Sequence, residues 1–121
     1  MLKQRLASFK YALQGVAELF RSQTNAKLHL FAAIVVCVVG YFVGLSTLEW
    51  CIVVLCISLV LAAEAFNTAL EYLTDLVSPN HHPLAGKVKD VAAAAVLLTA
   101  IGAAVCGILI FLPKIIKLLG T

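Results

Sequence analysis

Five oxygen-bearing side chains, Glu64, Asn67, Thr68, Glu71 and Asp75, recur at helical steps within an otherwise apolar part of the chain. That spacing places them on one face of a helix. The stretch before them, Trp50 to Ala63, carries no charge. If a membrane span begins near Trp50, about 20 residues carry it to about Ala69. Glu64 then lies inside the membrane boundary and Glu71 at its rim. A charge at the centre of a span costs about 2.5–3.5 kcal/mol on insertion scales, and less near an edge, so the stripe requires a cause. Glu64 could pair with a lysine or with Asn67 simply to fix helix packing, and Glu71 and Asp75 could be a solvated helix end. Three acids on one stripe favour chemistry instead.

Glu64 and Glu71 are two turns apart, about 10 Å along a helix axis, which is far for both to hold one ion. Two roles fit better. A carboxylate at the rim can hold Mg²⁺ against nucleotide phosphates, since Mg²⁺ takes oxygen ligands and keeps some of its waters. A carboxylate just below the surface can accept the proton of a hydroxyl presented by a lipid.

The elements that must position this stripe follow from composition. Of the 121 residues, 63% are apolar and 12% charged, which is lipid-soluble composition. Apolar residues at Leu2, Leu6, Phe9, Leu13, Val16 and Phe20 alternate with Lys3, Arg5, Lys10, Gln14, Glu18 and Arg21. This predicts an amphipathic helix over residues 1–22, too charged to span and suited to the headgroup layer. Uncharged runs then predict membrane helices over 28–45, 50–77 and 91–112 within a single domain, residues 1–121. The first residues lack the layout of a cleaved signal peptide.

Five cations (Lys3, Arg5, Lys10, Arg21, Lys27) precede the first span, and Lys87 and Lys89 follow the second. By the positive-inside rule both regions are cytoplasmic, outvoting Lys114 and Lys117 at the other end. The expected location is a bacterial cytoplasmic (inner) membrane, with the site at its cytoplasmic face. Small residues at Gly40, Gly44, Ala92 to Ala95, Gly102, Ala103 and Gly107 permit close helix approach and predict a homo-oligomer. With no separate basic domain, a nucleic-acid partner is not expected.

Between the second and third spans, Ser78 to Lys87 contains Pro79 and Pro83 and reads as a polar, helix-breaking connection. Lys87 or Lys89 could neutralise phosphates and Asp90 suits a helix start, although a membrane anchor with a capping Asp explains them equally. His81 and His82 lack further ligands at zinc spacing. Cys37, Cys51, Cys56 and Cys106 form no C-x-x-C pair and read as packing residues. No Gly-rich phosphate loop and no soluble-kinase signature is present, so the residues alone lead to a membrane protein with a carboxylate site.

The segment Glu64-Ala-Phe-Asn67-Thr-Ala-Leu-Glu71, followed by Asp75, His82, Lys89 and Asp90, resembles the signature of the prokaryotic diacylglycerol kinase family. Ser8-Phe9-Lys10-Tyr11-Ala12 with Gly15 is similar to that family's surface helix. The resemblance implies an all-α membrane protein, a homotrimer of subunits with a surface helix and three spans, and sites shared between neighbouring subunits. It implies ATP- and Mg²⁺-dependent phosphorylation of a lipid hydroxyl, first of diacylglycerol to phosphatidic acid. By position, Glu64 matches the catalytic base, Asn67 a polar neighbour in the site, and Glu71 a metal ligand. Tyr11, Asn80, His81, His82, Lys89 and Asp90 match nucleotide-contacting positions.

Gln23 stands where the family commonly has a second acidic metal ligand; its amide oxygen can coordinate Mg²⁺ but brings no charge. Asn25-Ala-Lys27-Leu-His29 and His81-His82-Pro83-Leu84-Ala85 are more similar to the branch from Gram-positive and related bacteria, which includes undecaprenol kinases. Undecaprenol is therefore the alternative acceptor. A different class of function, a small ion- or proton-translocating subunit in which Glu64 titrates, would need no nucleotide site.

Overall fold

The computed structural model describes residues 1–120, and all of its regular structure is helical. Four helices follow in order: α1 Leu2–Ser22, α2 Thr24–Val43, α3 Thr47–Val77 and α4 Pro83–Leu118. The last three are long and apolar enough to cross a membrane. α3 packs chiefly against α4, with α2 against both and the end of α1 against α2 and α3.

The helix boundaries are set by local chemistry. Gln23 alone is extended (φ −107°, ψ 113°) and separates α1 from α2, so α2 begins at Thr24, ahead of the uncharged run expected from residue 28. At the other end of α2, Gly44 takes φ +76°, a left-handed stop that costs glycine nothing. α3 starts at Thr47 because Ser46 and Glu49 form a capping box: Glu49 N–H donates to Ser46 Oγ (3.2 Å) and Ser46 N–H to Glu49 Oε2 (2.9 Å).

The largest departure is α4. Residues 78–87 were expected to interrupt helix as far as the next uncharged run, yet α4 begins at Pro83. A proline at the first helical position loses no hydrogen bond, because that N–H would have no intrahelical acceptor. His82 completes the start, its Nδ1 accepting from the Leu84 N–H at 3.1 Å. α4 also runs through Pro113 to Leu118, six residues beyond the apolar run ending at 112. A single interior proline is tolerated in a membrane helix where neighbouring groups re-satisfy the backbone.

At the Gly44–Ser46 end, Lys114 Nζ lies 3.0 Å from Glu49 Oε2 and donates to the Gly44 carbonyl at 3.4 Å. One of the two charges that counted against the expected orientation is thus matched by an adjacent anion. Here too Gly40 is buried, and a Cβ on it would sit 2.8 Å from Leu45 Cδ1 and 3.1 Å from Trp50 Cη2. Gly40→Leu should lower stability by about 1–3 kcal/mol through overpacking, read as earlier thermal unfolding in detergent. Gly40→Ala should cost less, because the tip of Leu45 can move aside.

Little of the three apolar helices is buried within the chain. The buried residues are Val53, Val60, Glu64, Thr68 and Thr74 of α3, Ala26 and Gly40 of α2, Leu19 of α1 and Ala92 of α4.

Candidate functional site

Glu64 is the largest fully buried side chain, 2% exposed. Below it on the same face, Thr68 and Thr74 turn their hydroxyls back onto the helix, to the carbonyls of Glu64 (2.8 Å) and Leu70 (2.6 Å). Both threonines are thereby satisfied without a partner from another helix. The acids have no such internal solution.

Glu64 meets His29 of α2, whose Nε2 lies 3.3 Å from Oε1 without completing a hydrogen bond. Asn67 Oδ1, also buried, has no hydrogen-bond partner among the described residues. Two buried oxygen acceptors at one level of the bundle are thus left unsatisfied. Buried polar groups are nearly always paired, so an unsatisfied pair marks a place where a further donor belongs.

One to three turns further along α3, the half-buried Glu71 makes no salt bridge or side-chain hydrogen bond among the described residues. Asp75 is engaged: Lys89 Nζ of α4 lies 2.7 Å from its Oδ1. With side chains 41% and 63% exposed, this pair is screened by solvent and adds little to stability. It does bring Lys89 to the same end as Glu71.

The end of α1 also reaches this level. Tyr72 Oη donates to Glu18 Oε1 at 3.1 Å and lies 3.1 Å from Ser22 Oγ. Arg21 bonds to Glu18 as well. Those bonds, Arg21's first and Tyr72's next, hold the Glu18 carboxyl below the usual carboxylate range. Contact of Ser22 with Tyr72 brings the α1–α2 junction, and with it Gln23, beside the turn that carries Glu71. The Gln23 side-chain amide donates to Ser22 Oγ at 3.2 Å. Among the described residues no three His, Cys, Asp or Glu side chains converge as a metal cluster would.

The remaining predicted positions lie apart. Tyr11 is exposed on α1, Asn80 and His81 are exposed in the α3–α4 connection, and Asp90 is exposed on α4. The Asn80 carbonyl accepts from Ser78 Oγ at 3.0 Å, and His82 serves as the helix cap already described.

Two grooves flank the stripe. One, of about 360 Å³, runs between α2, α3 and α4, lined by His29, Val36, Val53, Cys56, Val60, Cys106 and neighbouring apolar residues. The other, of about 460 Å³, lies where α3 ends and α4 begins, beside Leu70, Thr74, His82 and Val88.

His29, Glu18 and Tyr72 were not singled out as site residues. His29 was detectable: at helical spacing it shares a face with Ala26, Ala33, Val36 and Gly40, and Ala26 and Gly40 are buried. A histidine on the inward face of a span needs a polar partner.

A model of the family described as prokaryotic diacylglycerol kinase matches residues 10–111. The undecaprenol kinase of Bacillus subtilis (strain 168) is 41% identical over 114 residues, covering 94% of this chain and 93% of that one. A diacylglycerol kinase of Synechocystis is 38% identical over 115 residues, 94% of this chain and 66% of its own. A diacylglycerol kinase of Haemophilus influenzae is 31% identical over 112 residues, 91% and 95% of the two chains.

Proposed function

The chain belongs to the prokaryotic diacylglycerol kinase family, and on that premise we propose that it transfers the γ-phosphoryl group of ATP to the hydroxyl of a membrane lipid. The observation that carries the reading is the buried Glu64, held inside a membrane-spanning bundle with an unsatisfied oxygen. A carboxylate kept there at an energetic cost suits a proton acceptor for an alcohol that never leaves the bilayer.

The higher identity to an undecaprenol kinase favours undecaprenol as acceptor, with diacylglycerol as the second reading. In either case the acceptor chain lies among the spans and the nucleotide approaches from the polar end. Lys89, at that end, would neutralise phosphate charge, with Tyr11, Asn80, His81, His82 and Asp90 completing the nucleotide contacts. Glu64 supplies the basicity that draws the proton from the hydroxyl, and Asn67 holds the hydroxyl or a phosphate oxygen in place.

Glu71 and Gln23 offer hard oxygen donors of the kind Mg²⁺ prefers. The Ser22–Tyr72 contact brings their two elements together, and a Glu71 carboxylate without a salt bridge among the described residues fits a ligand. Such an ion would spread the negative charge of the transferring group. The small protein donor set is suited to Mg²⁺ that arrives on the nucleotide with part of its water.

We place α1 at the headgroup layer of the bacterial inner membrane, with the polar end of the bundle in the cytoplasm. The many exposed apolar side chains on α2, α3 and α4 suit lipid and the neighbouring subunits of a homotrimer. Purified protein given labelled ATP with undecaprenol or diacylglycerol in separate vesicles should phosphorylate undecaprenol faster. Faster diacylglycerol turnover would reverse the acceptor assignment. No phosphorylated lipid from either would overturn the kinase reading in favour of an ion-translocating subunit.

A further inference from the structure

We infer that Ser22 is a positioning residue that holds the Gln23 amide with its oxygen, and not its NH₂, free to meet an ion; this rests on the reading of Gln23 and Glu71 as Mg²⁺ ligands above. A carboxylate can turn either oxygen to a cation, but an amide has one acceptor end and one donor end. Gln23 therefore needs its last side-chain torsion fixed, which an acid in its place would not.

The rest of Gln23 is fixed by its place in the chain. It is the extended residue between α1 and α2, and its backbone is committed to both helices. Its N–H donates to the Leu19 carbonyl at 3.0 Å, and its carbonyl accepts from the Lys27 N–H at 3.2 Å. Only the side chain remains. Its Nε2 donates to Ser22 Oγ at 3.2 Å, and its Oε1 has no hydrogen-bond partner among the described residues.

The hydrogens around Ser22 decide which end of the amide it takes. A serine hydroxyl has a single hydrogen, and Ser22 gives it to the Glu18 carbonyl one turn back, at 2.8 Å. Tyr72 Oη, 3.1 Å from Ser22 Oγ, gives its own to Glu18 Oε1. Ser22 Oγ thus meets Gln23 purely as an acceptor. A flipped amide would set oxygen against oxygen with no hydrogen between them, so the NH₂ stays at Ser22 and the amide oxygen is left free. Tyr72 directly follows Glu71 in α3, so its contact with Ser22 also holds the α1–α2 junction at the turn that carries the acid.

Binding, not turnover, separates this role from a merely structural one. The full chain in detergent is titrated with a fluorescent, non-hydrolysable ATP analogue, once with Mg²⁺ and once with a chelator, and the ratio of the two affinities measures what the ion contributes. Ser22→Ala should cut that ratio by about 10- to 100-fold, the cost of losing a group that orients a metal ligand, with the metal-free affinity unchanged. Ser22→Thr keeps the hydroxyl and should behave as the parent. In a double-mutant cycle, Ser22→Ala added to Gln23→Glu should leave the ratio where Gln23→Glu alone sets it, because a carboxylate has no wrong end. A parent-like ratio in Ser22→Ala, or an equal loss with Gln23→Glu in place, overturns the inference and leaves Ser22 as a helix-end contact. No gain from Mg²⁺ in the unaltered protein overturns it together with the metal reading, while lipid phosphorylation by that protein, assayed separately, decides whether the kinase reading stands.

Discussion

Glu64→Gln is expected to abolish most lipid phosphorylation, by about 10²- to 10⁴-fold in kcat, while the protein still folds and assembles. The substitution keeps the shape of the side chain and removes only its charge and basicity. Because Oε1 completes no hydrogen bond among the described residues and meets only His29 Nε2 at 3.3 Å, little folding energy is tied to that oxygen. Exchange of a desolvated carboxylate for a neutral amide also removes a burial penalty. The variant should therefore elute at the same size as the parent in detergent and melt no earlier. The measurement is turnover with labelled ATP beside size-exclusion chromatography. Parent-like phosphorylation by the variant would exclude Glu64 from the proton transfer.

The second large effect is expected at Glu71. If it holds Mg²⁺, Glu71→Gln should raise the Mg²⁺ needed for half-maximal rate by at least the roughly 10- to 100-fold seen when an outer-shell partner of a metal is lost. Part of the maximal rate should return at high Mg²⁺, because the ion retains its phosphate and water ligands. Glu71 is half-buried and forms no salt bridge among the described residues, its charge acting on Lys89 only at longer range, so its removal breaks no hydrogen bond or close ion pair. An unchanged metal titration would reduce it to a solvated helix position. Asp75 serves as the contrast, since its carboxylate is already committed to Lys89.

The polar stripe was readable in the sequence because helical spacing converts into a face: of Glu64, Asn67, Thr68, Glu71 and Asp75, the first and third are buried, Asn67 and Glu71 are half-buried, and only Asp75 is exposed. The same spacing could not say which acid would be enclosed and which left free. That depends on what α2 and α4 bring opposite, such as His29 beside Glu64 and Lys89 beside Asp75. Helix ends were missed where a polar residue started a helix before its apolar run. Ser46 with Glu49 is a capping signal visible in the residues, and Pro83 was treated as a breaker although at the first helical position it is a starter. The contact of Tyr72 with Glu18 spans 54 positions of chain, and no local pattern encodes a meeting of that kind.

The clasp that joins Ser46, Glu49 and Lys114 combines contacts of very different range along the chain. Ser46 and Glu49 are three residues apart, so the start of α3 is sealed by contacts local in the chain. Lys114, 70 positions beyond the Gly44 whose carbonyl it meets, joins that turn to the far end of α4. Loss of the lysine is therefore expected to loosen α4 at this end while the Ser46–Glu49 turn stays wound.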